Sequence, residues 1–169
     1  MNSMVADEKG EMIAKQKAFV DHLFVKEIGR MQREGFTFFS FVLMGQAIET
    51  LGAFLDKKPM KATGQSAKRF SKGLNWLMGD RYKAINKDHW FFLKFRNQLT
   101  HSFVPSRELI LISESELEEG MHHLGLYEGR RVLVAERMYE DLCKGCKKLY
   151  GMLDQGRVAP TRVGEIKLS

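Results

Sequence analysis

The stretch "FFSFVLMGQAIETLGAFLDKK", Phe38 to Lys58, is apolar on nearly every side when it is drawn as a helix. A helix at the surface of a protein has one polar face, whereas a helix that is apolar all round is buried. Its exceptions are Gln46 and Glu49. The sequence therefore predicts that this helix, starting near Thr37, is the central and most buried element of the fold.

Four further segments have the apolar spacing of three, four and seven residues that is typical of amphipathic helices. Each is bounded by residues that favour helix ends, such as Gly35, Ser66, Gly79 and Pro105. These predicted helices cover about Asp7–Glu34, Ser66–Met78, Lys87–Ser102 and Ala135–Leu153. Together with the central helix they predict a bundle of about five helices.

The pattern changes between the last two helices. "ELILIS" (108–113) and "RRVLVA" (130–135) are short runs rich in branched apolar residues, which favour strands. Ser113 and Glu116 have the spacing of a capping box for one short helical turn between them. The fold class is therefore mainly α, a helical bundle with a small β-hairpin inserted before the last helix. We expect one domain over residues 1–155, followed by a polar C-terminal tail, 156–169.

Composition indicates a protein that folds without disulfides or a structural metal. The chain of 169 residues is 44% hydrophobic and 28% charged, which argues against the disordered and membrane classes. No run of 18 apolar residues occurs, and the start "MNSMVADEKGEM" does not resemble a secretory signal, so we expect a cytoplasmic protein without a membrane partner.

Cys143 and Cys146 form a single C-x-x-C without a second pair. We interpret them as ordinary helix residues, and His122 and His123 as a poor metal pair, so no metal or cofactor is expected.

Positive charge is concentrated in the middle of the chain. Residues 57–107 contain twelve Lys and Arg against two Asp, a net charge of +10, whereas the remainder carries −4. Such a region attracts polyanions, although it is equally compatible with a solvated face. Four aromatic residues interleave it, of which most are expected to pack in the core: Trp76, Tyr82, Trp90 and Phe91. The residues selected as candidates for nucleic-acid binding are Lys68, Lys72, Lys87, Lys94 and Trp90.

The segment "FRNQLTHSF", Phe95 to Phe103, combines Arg, Asn and His on one helix. At about 100° per residue, Asn97 and His101 fall opposite the apolar stripe, four residues apart, where the amide could orient the imidazole. Arg96 falls at the edge of the stripe, and its stem could carry the guanidinium to His101. The stripe itself is predicted to contain Phe92, Phe95, Leu99 and Phe103.

These side chains suit the cleavage of RNA without a metal. Such a reaction needs a group that transfers protons near neutral pH and cationic donors for the charge that develops on phosphorus. His101 could transfer the proton, Arg96 could stabilise the phosphate, and Asn97 could position either of them.

"RNQLTH", Arg96 to His101, resembles the R-x(4–6)-H motif of HEPN domains, including the polar residue that commonly follows the Arg. The resemblance implies a compact helical bundle that dimerises so that two motifs face one cleft. It also implies a metal-independent endoribonuclease, in toxin, antiviral or RNA-processing systems, with a cognate antitoxin as a further partner. Arg96, Asn97 and His101 would be its catalytic residues, and RNA ends with a 2′,3′-cyclic phosphate and a 5′-hydroxyl its products.

Other interpretations of the same residues stay open. Arg96 could pair with a carboxylate, Asn97 could be a surface residue, and His101 could interact with the helix dipole in the last turn. Glu49 needs a partner if buried, which Arg96 or Lys94 could supply, so it is either a structural ion-pair member or a residue that aligns Arg96. Trp90 could contribute to a dimer interface. The alternative functions are a non-catalytic HEPN-like module that binds nucleic acid or protein, and a structural or regulatory helical protein.

Overall fold

The computed structural model describes the backbone of residues 2–164 and the side chains of residues 7–164. It begins with one long helix, made of α1 (Asn2–Val20), a π-helical segment (Asp21–Glu27) and α2 (Ile28–Arg33). Val20, Phe24 and Ile28 bury one side of this helix in the core, as its amphipathic pattern predicts. The predicted first helix is therefore confirmed.

The predicted central helix is α3, Thr37–Phe54. Ten of its residues are buried, and both α2 and α4 pack against it. By length and composition alone α3 could also cross a membrane, but the core helix of a soluble protein passes the same test, and 56% of this helix is buried within the fold. The core therefore explains the apolar character of the buried side of α3, whereas Phe39 and Leu43 are exposed.

The chain continues into α4 (Ser66–Gly73) and a π-helical segment (Leu74–Met78), which together form the predicted third helix. Gly52 and Gly73 allow the backbones of α3 and α4 to touch. A Cβ atom on Gly52 would lie only 1.7 Å from the carbonyl oxygen of Arg69. A short helix that the sequence did not reveal follows, α5 (Asp80–Ile85).

The predicted fourth helix starts later than expected. Asp88 and His89 lie in a single 3-10 turn, Lys87–His89, and both have a positive φ. This backbone conformation separates the turn from the helix that follows. The helix then runs over residues 90–102 as one turn, a π-helical segment (Phe92–Asn97) and α6 (Gln98–Ser102). We refer to it as helix 90–102.

Both predicted strand segments form strands, β1 (Leu109–Ile112) and β3 (Arg130–Val134), but they are not two arms of a hairpin. They pair in parallel, and β3 pairs antiparallel with a two-residue strand, β2 (Leu126–Tyr127). The hairpin expected between them is therefore wrong, because the antiparallel neighbour of β3 is the short β2. The capping box of Ser113 and Glu116 is confirmed.

The last helix, α7 (Ala135–Asp154), is confirmed and carries Cys143 and Cys146 as free cysteines. With α7 the fold is mainly α, as expected, and residues 2–164 contain about six helices with a three-stranded sheet before the last. The described part of the predicted tail lies against α1, where Thr161 N–H donates to the buried Gln16. Residues 165–169 lie outside the described part of the chain.

Candidate active site

Helix 90–102 lies beside α3, and the aromatic core beneath it fixes its position. The Phe91 and Phe95 rings stack with centroids 4.9 Å apart, and Phe41 of α3 meets Phe95 edge-on. A Cβ atom on Gly45 would contact Arg96 Cγ at 3.4 Å. Arg96, Asn97 and His101 therefore lie along the line where these two helices meet, which we call the seam.

Arg96 is the buried member of the motif, with only 8% of its surface exposed. Its Nε forms an ion pair with Oε2 of Glu49, and its guanidinium lies 5.7 Å from the centroid of the Phe92 ring. Of the two expected partners of Glu49, Arg96 and Lys94, the structure shows Arg96. The expected approach of the guanidinium to His101 is not found, because burial beside α3 places Arg96 against Glu49.

Asn97 is half-buried, and His101 is exposed in the last turn of the helix. Within residues 7–164 no hydrogen bond joins them, and His101 makes no ion pair. The helix ends at Ser102, where Phe103 adopts a left-handed conformation and is 57% exposed. Phe103 was expected in the core stripe, and this turn of the backbone removes it.

The seam contains buried polar atoms that lack a hydrogen-bond partner in the described part of the chain. They include Oε1 of Gln46, on α3, and Oγ1 of Thr100, on helix 90–102. Buried polar groups are nearly always hydrogen-bonded, so such atoms call for an explanation. Both atoms are closed off from solvent, so the contact between the two helices is partly polar.

Exposed apolar side chains border the seam on both helices. On α3 they follow spacings of three and four residues, and on the other side Leu93, Asn97 and His101 share the outer side of their helix. Phe39 and Phe103 connect the two stripes through an edge contact, with ring centroids 6.3 Å apart. This seam face consists of Phe36, Phe39, Leu43, Leu93, Phe103 and Val104.

The candidate nucleic-acid residues are not equally available. Lys68 and Lys87 are exposed and make no ion pair within the described side chains. Lys72 pairs with Asp56 at 2.9 Å, and Lys94 pairs with Glu108 at 2.7 Å and lowers the pKa of that carboxyl. Trp90 is half-buried and packs against the core. It is therefore a poor stacking platform.

Sequence reasoning missed a buried network outside the seam. Nδ1 of His123 accepts a hydrogen bond from Val134 N–H (3.0 Å), so the proton of the neutral ring lies on Nε2, which faces Tyr82 Oη at 2.9 Å. Tyr82 donates to Asp141 at 3.1 Å. Burial lowers the pKa of His123 to about 4, against the opposing effect of Asp141. The only signal for this network in the sequence is the adjacent pair His122 and His123, which is a poor metal pair by its spacing.

Comparison with family models, curated proteins and solved structures found no match for this chain. Among the side chains of residues 7–164, no group of three or more His, Cys, Asp or Glu residues is placed to hold a metal ion. The assignment of a function therefore depends on the residues at the seam.

Proposed function

We propose that this protein is a metal-independent endoribonuclease of HEPN type that acts as a homodimer through the seam face. The observation that carries the proposal is the placement of Arg96, Asn97 and His101 on one helix, with a fixed cation inside the seam and an exposed imidazole at its end.

The proposed reaction needs only proton transfer and charge stabilisation. The His101 imidazole of one subunit removes the proton of a ribose 2′-hydroxyl, and the 2′-oxygen forms a bond to phosphorus. The bond from phosphorus to the 5′-oxygen breaks, and the imidazole of the second subunit protonates that oxygen. The products are a 2′,3′-cyclic phosphate and a 5′-hydroxyl, with no net change in protons.

Arg96 would stabilise the negative charge on the pentavalent phosphate, because guanidinium stays charged at all relevant pH values. Its pairing with Glu49 fixes its position in advance, which suits stabilisation by a preorganised group. The dimer supplies the second imidazole and covers the exposed apolar side chains. A role in toxin or antiviral systems, a cognate antitoxin and a cytoplasmic location are parts of the same proposal.

The burial of Arg96 favours a second candidate. A guanidinium that is 8% exposed and neutralised by Glu49 is less available to a phosphate than a surface arginine. A non-catalytic module of the same fold, which binds nucleic acid or protein, needs no access to Arg96. This candidate predicts salt-sensitive binding of RNA without cleavage.

The test is incubation of the purified protein with total RNA in excess EDTA, with fragment length and end chemistry as the readout. Wild type should cleave and leave cyclic-phosphate ends, and His101→Ala should not. Because His101 is exposed, its loss should leave the fold intact, which circular dichroism checks. His122→Ala, at another exposed histidine, is the matched control. Equal cleavage by wild type and His101→Ala would contradict the proposal, and binding without cleavage by either would favour the second candidate.

A further inference from the structure

The helix formed by α4 and the following π segment exposes a tryptophan to solvent. Trp76 is 53% exposed, whereas Trp90, the other tryptophan of the chain, packs against the core. Tryptophan is mostly buried in proteins, so an exposed indole in a well-packed helix is informative. Leu74, Leu77 and Met78 on the same helix are buried, so Trp76 projects from the side that faces away from the core.

The surroundings of Trp76 are cationic, unlike the apolar seam face. Lys72 precedes Trp76 by four residues and Lys68 precedes it by eight, a spacing that places the three side chains along one side of the helix. Asp56 is the carboxylate paired with Lys72, and it pairs with Arg69 as well. Hydrogen bonding by Lys72 lowers the pKa of Asp56 to about 2, so this carboxylate stays charged and offsets one of the three cations Lys68, Arg69 and Lys72. With Lys68 unpaired within the described part, the surface keeps a net positive charge.

This surface continues onto the start of helix 90–102. Asn86 Nδ2 donates to Ser71 Oγ at 2.9 Å, and the Ser71 hydroxyl also forms a hydrogen bond with Nδ1 of His89 at 3.0 Å. Asn86 is itself fixed by accepting from Phe92 N–H. The contact places the exposed His89 ring beside α4, and Lys87 lies in the same 3-10 turn.

We propose that Lys68, Lys72, Trp76 and His89 form a binding surface for single-stranded RNA, in which a base stacks on the indole and the lysines contact phosphates. Aromatic rings within a basic groove are the usual means of holding single strands without sequence preference. The choice of RNA rests on the proposed ribonuclease function. The exposed indole favours a nucleic acid over an acidic peptide, because a peptide carboxylate gains from the lysines but has no base to stack.

The experiment measures binding, not cleavage, and uses the full chain with His101→Ala so that RNA stays intact. The probe is a fluorescently labelled 12-nucleotide oligouridylate at low salt, followed by anisotropy. Trp76→Ala should weaken binding about tenfold, and Trp76→Phe should retain most of the affinity because a ring remains. Lys68→Ala should reduce the slope of log affinity against log salt by about one.

Two matched variants are the controls. Leu117→Ala removes another exposed apolar side chain, in an acidic segment, and Lys148→Ala removes another exposed lysine. Neither should change the affinity. Unchanged binding by Trp76→Ala would overturn the proposal, as would displacement of the RNA by polyglutamate at an equal concentration of charge. Loss of affinity in Trp76→Ala while wild type fails to cleave RNA would sustain this surface and reject the ribonuclease.

Discussion

Glu49 of α3 and Arg96 of helix 90–102 form an ion pair across the seam, and both side chains are largely buried. A buried pair contributes little net stability when complete, but removal of one partner leaves an uncompensated charge. We expect Glu49→Gln to lower the free energy of unfolding by about 3 kcal/mol, measured by urea denaturation. Glu108→Gln, which breaks the exposed pair with Lys94, should change it little. Equal stability of Glu49→Gln and wild type would show that Arg96 is not confined to this pairing.

The contact between Glu49 and Arg96 also shows what the sequence could predict at this site. A carboxylate such as Glu49 in an all-apolar helix needs a partner, and of the two that the sequence offers, Arg96 and Lys94, the observed one is Arg96. The depth of Arg96 was not predictable. The expected faces assume the α-helical rotation of about 100° per residue, whereas residues 92–97 form a π-helical turn, in which each residue rotates by a smaller angle. Local geometry of this kind depends on packing against α3 and leaves no pattern in the sequence.

The strands illustrate the same limit. Both β1 and β3 were recognisable because branched apolar residues cluster in them. Their relative direction depends on β2, which is only two residues long and therefore too short to show an alternation. The late start of helix 90–102 was hidden for a similar reason, since Asp88 and His89 adopt positive φ values that neither residue type requires. Periodic segments were thus predictable, and the irregular residues that join and orient them were not.

The close approach of α3 and α4 leads to a second prediction. Because a Cβ atom on Gly52 would overlap the carbonyl of Arg69, Gly52→Ala must push the two backbones apart. We expect a loss of at least about 2 kcal/mol in the free energy of unfolding. Gly151→Ala, in α7 with no atom within 4 Å of the added Cβ, should instead stabilise the protein by about 0.5–1 kcal/mol. Thermal denaturation of both variants measures the contrast, and a Gly52→Ala variant as stable as wild type would contradict the close packing.

A third prediction concerns the acid sensitivity that His123 confers. Burial keeps its ring neutral in the folded protein down to about pH 4, whereas in the unfolded chain it becomes protonated near pH 6.5. The unfolded chain therefore takes up a proton between these values, and stability falls as the pH decreases from 6.5 towards 4. Between pH 7.5 and pH 5 we expect a loss of about 1–2 kcal/mol, since the ring is partly solvated.

Urea denaturation at pH 7.5 and pH 5 measures this effect. His123→Gln should be less stable at neutral pH, because the contacts with Val134 and Tyr82 are disturbed, but its stability should depend less on pH. His122→Gln, at the exposed neighbour, should retain the wild-type dependence. The same pH dependence in His123→Gln as in wild type would assign the acid sensitivity to other groups, such as the paired carboxylates.

The last prediction concerns the oligomeric state. Phe39 and Leu43 lie one turn apart on the exposed stripe of α3, and Phe39 meets Phe103 across the seam. If two copies associate through this face, wild type should have an apparent mass about twice 19.5 kDa in light scattering. Leu43→Glu places a charge inside such an interface, where it lacks a partner, and should yield a monomer that is folded. Leu117→Glu, at an exposed residue outside the seam, should remain dimeric.

Because the proposed reaction needs an imidazole from each subunit, the Leu43→Glu monomer should also lose RNA cleavage. Full activity of a monomer would show that one His101 suffices, and a dimer that survives Leu43→Glu would place the interface elsewhere.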